Sequence, residues 1–100
     1  SLDGDTSRGG VAREDLPALA DHVAGLGHLR LAGLMVVPPL SGEPAAHFAD
    51  AADVAADLRR RHPDAVEFSA GMSGDIEEAI AAGSTCVRVG TAILGPRPVV

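Results

Sequence analysis

Residues 65–95 read AVEFSAGMSGDIEEAIAAGSTCVRVGTAILG, and their reading decides the fold. Residues 65–71 alternate as a strand does: Val66, Phe68 and Ala70 point one way, Glu67, Ser69 and Gly71 the other. Gly71-Met72-Ser73-Gly74 is a glycine-flanked turn. Asp75 stands where a helix cap belongs, with Glu78 three residues on as its capping-box partner. Ile76, Ala79 and Ile80 give that helix an inward face, and Gly83 closes it. A further strand is expected over residues 85–89, with Val87 and Val89 on one face and Cys86 and Arg88 on the other. Gly90-Thr91-Ala92 then opens a short helix over 91–94, and Pro96-Arg97-Pro98 ends regular structure.

The same grammar extends toward the N-terminus. Residues 45–61 predict the longest helix, with Phe48, Ala52, Ala55 and Leu58 on one face and Asp50, Asp53, Asp57 and Arg60 on the other. His62-Pro63-Asp64 stops it. Residues 29–37, LRLAGLMVV, form an apolar run without clean alternation, as in a parallel strand covered on both sides, and Pro38-Pro39 ends it. Residues 13–26 carry Leu16, Leu19, Ala20, Val23 and Leu26 at helical spacing, with Pro17 in the first turn and Gly27 as the stop. Residues 3–11 are rich in turn formers, and Leu2 reads as the end of a partial strand. The expected fold class is therefore α/β, with about four parallel strands alternating with helices.

Composition bounds the function. One hundred residues make one small domain. A net charge of −6 and only two aromatics, Phe48 and Phe68, exclude the basic face and stacking platform of a nucleic-acid binder. No apolar run reaches the length of a membrane span and no signal peptide is visible, so cytoplasm is the default location. The single Cys86 forms no internal disulfide. All eight cationic side chains are arginine, so the chain has no lysine.

In parallel βα folds, ligands gather at the carboxyl ends of the strands. The loops there contain residues 38–44, 71–74 and 90–92. Gly90-Thr91 opens a helix whose N–H groups favour an anion, and Ser73 adds a hydroxyl from the neighbouring turn. The alternative is that Gly71 and Gly90 only permit tight turns and Ser73 only caps. Arg88 faces away from Val87 and Val89, and a guanidinium there needs an acceptor. That acceptor is either Glu67 on the adjacent strand or a ligand. The four histidines have no spaced partners for a metal, and Ser69 and Ser73 have no base placed beside them for nucleophilic work.

GLMVVPP at residues 33–39, FSAGMSGDIEEAIAAGST at 68–85 and VRVGTAILGPR at 87–97 together resemble the C-terminal half of the pyridoxal phosphate homeostasis proteins, which are similar to the barrel domain of alanine racemase. DGDTSRGG at 3–10 resembles a loop of that family in which Lys-Ser-Gly is usual; here it is Arg8-Gly9-Gly10. The resemblance implies the C-terminal half of a (β/α)8 TIM-type barrel. It also implies pyridoxal 5′-phosphate as cofactor, with Ser73, Gly90 and Thr91 on its phosphate and Arg88 on the pyridine nitrogen. The implied role is carriage and regulation of the cofactor without an established reaction. The family's Schiff-base lysine belongs to the other half, so residues 1–100 read as a partial cofactor-binding domain lacking the N-terminal half. Four strands cannot close an eight-stranded barrel. Its expected partners are pyridoxal phosphate and either that missing half or a second copy. The alternatives are half of a racemase-like enzyme, although no tyrosine base is available, and a non-catalytic association module.

Overall fold

The computed structural model describes residues 1–98. The sheet has two parallel strands, β1 (Gly33–Met35) and β2 (Glu67–Ser69), in the register Gly33↔Glu67, Leu34↔Phe68 and Met35↔Ser69. The helices are α1 (Leu16–Ala24), α2 (Pro44–Arg61), α3 (Ile76–Ala81) and α4 (Thr91–Leu94). The connection β1–α2–β2 is thus a parallel βαβ unit, as the alternating pattern predicts.

α2 begins at Pro44, where a missing N–H costs nothing, and stops at His62, which the following Pro63 drives out of helical geometry. Its apolar stripe packs on one side of the sheet. Phe48, Ala51 and Ala55 meet Val36, Phe68 and Ala70, and Ala79 of α3 joins them. Phe48 is fully buried, and full burial of such a ring is worth about 1.5–3 kcal/mol. A second cluster joins Ala20 of α1 to Leu58 and Ala65. Burial alternates along β1 and beyond it: Val36 is 6% exposed, while its neighbours Met35 and Val37 are 61% and 49% exposed. One face of the sheet is therefore covered by helices and the other is open.

Several expected elements are shorter. The run 29–37 contributes three strand residues, because ladder bonds form only where β2 lies alongside; they extend to Glu67 N–H on the Ala32 carbonyl and Val36 N–H on the Ser69 carbonyl. The strand expected over 85–89 is instead a single parallel bridge, Ser69↔Cys86. Backbone bonds from Thr85 N–H to the Phe68 carbonyl and from Ala70 N–H to the Cys86 carbonyl still hold it beside β2. The regular ladder is displaced by hydroxyls. Thr85 Oγ1 takes the Phe68 N–H at 2.8 Å, and Ser84 Oγ donates to the Ala70 carbonyl at 2.6 Å. No strand forms at Leu2 among the described residues; the following loop is curled by Asp5 N–H on Asp3 and Ser7 N–H on Asp5. The four strands expected are two plus one bridge.

The first helix is also shorter. A 3-10 turn, Arg13–Asp15, precedes α1, and Gly25 ends it two residues before the expected stop. Leu19, Leu26 and Ile80, assigned to inward faces by periodicity, are 45%, 39% and 57% exposed, since no described element covers them.

α1 is tied to the end of α2 by Asp21, which meets the Arg61 guanidinium and lies 2.9 Å from His62 Nε2. The hydrogen bond from His62, and then that from Arg61, hold the Asp21 carboxyl below the usual aspartate range. A folded-state pKa below the unfolded one gives stability that is present above the unfolded value, about 3.9, and lost as pH falls through the folded one. The pair is exposed, so the effect is small. Asp21→Asn is expected to lower the melting temperature slightly at pH 7 and to melt like the parent chain at pH values below the folded carboxyl's pKa. A difference that persisted unchanged into that acid range would show that Asp21 acts through something other than its charge.

Candidate functional site

The two glycine turns meet at the carboxyl edge of the sheet. Leaving β2, the chain takes φ +100° at Gly71, and a Cβ there would lie 2.6 Å from the Ala79 Cβ, so only glycine lets the turn close against α3. Asp75 occupies the N-cap position of α3, but its side chain makes no cap bond and Glu78 does not complete a capping box. The Asp75 carboxylate instead accepts the Met72 N–H at 2.7 Å, closing the glycine turn from within. That closure presents Ser73, whose Oγ accepts the Ala92 N–H of α4 at 3.1 Å. This bond joins the two turns across nineteen residues of chain.

Between the turns lies a cleft of about 410 Å³. Ser73, Arg88, Gly90 and Thr91, the four residues singled out from the sequence, all line it, with Gly74, Gly95, Met72 and Leu94 beside them. Arg97 lines it as well. In the sequence Arg97 reads as part of a proline-bounded terminator; its signal is a cation just beyond the end of α4. Gly90 has φ −118°, open to any residue, and a Cβ on it would meet nothing within 4 Å. Neither its backbone geometry nor its packing requires glycine. The N–H groups of Gly90 and Thr91 have no hydrogen-bond partner among the described residues.

Arg88 is held by its own backbone, through its N–H on the Gly71 carbonyl at 2.8 Å. Its side chain reaches across the sheet edge, and Nη2 donates to the Val36 carbonyl at 2.8 Å. The pairing with Glu67 does not form: the Glu67 carboxylate accepts the Thr85 hydroxyl at 2.8 Å instead. Arg88 Nε is buried and has no partner among the described residues. A guanidinium stays protonated, so this N–H is a permanent donor without an acceptor. Leaving such a group buried and unpaired is costly.

The loop at 3–10 lies along another part of the same edge. Asp5 caps the 3-10 turn Thr6–Arg8, and Arg8 is paired with Asp3 at 3.0 Å and with Asp5 at 3.7 Å. The Asp5 backbone N–H lowers the Asp3 pKa, and the Ser7 hydroxyl lowers that of Asp5. Arg8 is thereby committed to two ionised carboxylates and is not a free anion ligand. No cluster of histidine, cysteine, aspartate and glutamate fit to hold a metal occurs among the described residues.

The cleft therefore brings together the Ser73 hydroxyl, the Arg88 cation and two backbone N–H groups that have no partner among the described residues. Comparison with known proteins bears on what such a cleft is for. The pyridoxal phosphate homeostasis protein of Corynebacterium glutamicum is 53% identical over 98 residues, which is 98% of this chain and 44% of the relative. The protein of the same name from Escherichia coli is 44% identical over 100 residues, 97% of this chain and 43% of the relative. The chain thus spans less than half the length of these relatives. PipY of Synechococcus elongatus, solved with PLP bound, aligns with a TM-score of 0.66 at 39% identity, over 83% of this chain and 40% of that one. The same protein without PLP aligns with a TM-score of 0.79 at 36% identity, over 91% and 45%. These likenesses are to a TIM-barrel-type α/β fold. The sequence profile of the alanine racemase N-terminal domain matches residues 1–98, and the chain belongs to that family.

Proposed function

We propose that this chain binds pyridoxal 5′-phosphate and serves in its homeostasis. The observation that carries the reading is one cleft that Ser73, Arg88, Gly90 and Thr91 line together, with the N–H groups of Gly90 and Thr91 unpartnered among the described residues. Ser73 and the N–H groups of Gly90 and Thr91 would hold the phosphate, and Arg88 would donate to the ring nitrogen. The name of the relatives and the PLP-bound PipY structure support the choice of ligand. When bound, the cofactor supplies an aldehyde and an electron-accepting ring. This chain's residues hold, orient and neutralise it. A guanidinium is too weak an acid to protonate the ring nitrogen it would hydrogen-bond, which disfavours broad amino-acid chemistry and favours carriage.

The open sheet face supports a second part of the proposal. Met35 and Val37 stand exposed where a barrel interior would enclose them. We read the chain as about half of a TIM-type barrel domain. The length of the relatives beyond its span would supply the rest, with no further ligand class needed to account for the face.

Gly90→Ala separates a binding glycine from a structural one. A Cβ at Gly90 meets nothing within 4 Å, so the melt is expected to be unchanged, while a methyl on this cleft-lining residue is expected to crowd the proposed phosphate position and weaken pyridoxal 5′-phosphate binding about tenfold or more. Titration calorimetry of parent and variant reads both quantities. Undiminished binding by the variant would remove Gly90 and Thr91 from the phosphate site, and no binding by the parent chain would remove the function.

A further inference from the structure

Asp75 stands at the N-cap of α3, yet its side chain makes no cap bond there. The first turn of α3 thus forgoes a bond that a carboxylate in that place ordinarily supplies. The carboxylate is committed to the preceding turn. Met72 and Asp75 are joined twice, by Met72 N–H on the Asp75 carboxylate at 2.7 Å and by Asp75 N–H on the Met72 carbonyl at 3.2 Å. The first bond is charge-assisted and the stronger of the two. Ser73 and Gly74 are the residues held between them. A Cβ at Gly74 would meet nothing within 4 Å, so no packing at that position steadies the tip of the turn. Ser73 is fixed by this double closure on one side and by the Ala92 N–H on its Oγ, at 3.1 Å, on the other.

A hydroxyl has one hydrogen and two lone pairs. Ser73 Oγ spends a lone pair on Ala92 N–H and donates to nothing among the described residues, so its hydrogen is available to an acceptor in the cleft it lines. Asp75 does not itself line that cleft. Resting on the proposed function, we infer that Asp75 is a positioning residue for the ligand. Its carboxylate holds Met72 N–H, the closed turn sets the Ser73 hydroxyl, and affinity for pyridoxal 5′-phosphate depends on Asp75 without contact between them. The carboxylate acts on a phosphate in two opposed ways. Its charge repels the anion, whereas its hydrogen bond builds the turn that receives it. Removing the carboxylate therefore strengthens binding if charge is its whole influence and weakens binding if positioning is.

Calorimetric titration of the full chain with pyridoxal 5′-phosphate is the test. Asp75→Ala is expected to weaken binding about tenfold. Asp75→Asn keeps an oxygen that takes the Met72 N–H, and is expected to stay within about threefold of the parent. Adding Asp75→Ala to Ser73→Ala is expected to change the affinity by less than about twofold, because the group through which Asp75 acts is already gone. In the unliganded parent, the Met72 amide is expected to exchange in deuterated water about tenfold slower than the Ser73 amide, once intrinsic rates are corrected for. Binding by Asp75→Ala as tight as the parent's or tighter overturns the inference and leaves the binding function standing. So does a loss in Asp75→Asn as large as in Asp75→Ala, or a full tenfold loss on top of Ser73→Ala. Equal exchange at Met72 and Ser73 overturns it whether or not Asp75→Ala folds. No binding by the parent chain removes both.

Discussion

Gly33→Ala is expected to cost about 3–5 kcal/mol, combining the strain of a disallowed backbone angle with overpacking that cannot relax. Gly33 opens β1 with φ +157°, and its partner across the ladder is Glu67. A Cβ at Gly33 would sit within the van der Waals shell of the Glu67 carbonyl oxygen, 2.6 Å from its carbonyl carbon and 2.8 Å from its nitrogen. These are backbone atoms of the neighbouring strand, so no side-chain rotation gives way. Either β1 and β2 part, losing the bonds on both sides of the register, or the strand turns over and exposes Leu34 and Val36. A domain of this size has about 5–15 kcal/mol of stability in total, so the variant loses a large share of it. Urea melts followed by far-ultraviolet circular dichroism are the measurement. A midpoint within experimental error of the parent's would mean that β1 does not approach β2 as described.

The second large effect is at Phe48. Its ring is fully buried between Val36, Phe68 and Ala70 of the sheet and Ala79 of α3. Four of the seven buried residues of this cluster are alanines, which have no longer rotamer with which to fill a gap. Phe48→Ala removes the largest fully buried side chain and is expected to cost about 3–5 kcal/mol, at the upper end where the site does not collapse. Phe48→Leu keeps much of the volume and is expected to recover most of that loss. If alanine and leucine melted alike, the ring would not be packed as the cluster requires. The consequence for the cleft is indirect. Phe68 and Ala70 lead into Gly71, whose carbonyl positions Arg88 N–H, so loosening this core is expected to weaken ligand binding in proportion to the loss of folded chain.

Much of the site was legible in residues 65–95 because its signals are local. A strand period, a glycine turn, a helix and a second glycine turn each occupy adjacent residues, and a parallel βα path returns both turns to one edge of the sheet. Ser73, Arg88, Gly90 and Thr91 line one cleft for that reason. Asp75 shows where local reading ends. Its position was read correctly as an N-cap, but its carboxylate serves Met72 N–H, because Gly71 bends the chain back within its reach. Arg88 shows the same limit. Strand alternation gave its face and its need for an acceptor, but Glu67 was taken by Thr85 and Val36 supplied the carbonyl, from 52 residues away.

The α/β order, the ends of α2 and the family motifs are legible in the order of residues alone. These follow from periodicity, proline and glycine placement and composition, all of which act over a few residues. Only the tertiary structure decided the extent of the strands, the vacancy around Gly90 and the unpartnered Nε of Arg88. A ladder bond requires a neighbour in space, and the hydroxyls of Ser84 and Thr85 competed for those bonds in a way no strand period encodes. Whether a glycine is required by its surroundings, as at Gly71, or stands where a Cβ would meet nothing, as at Gly90, depends on which atoms the rest of the fold brings near.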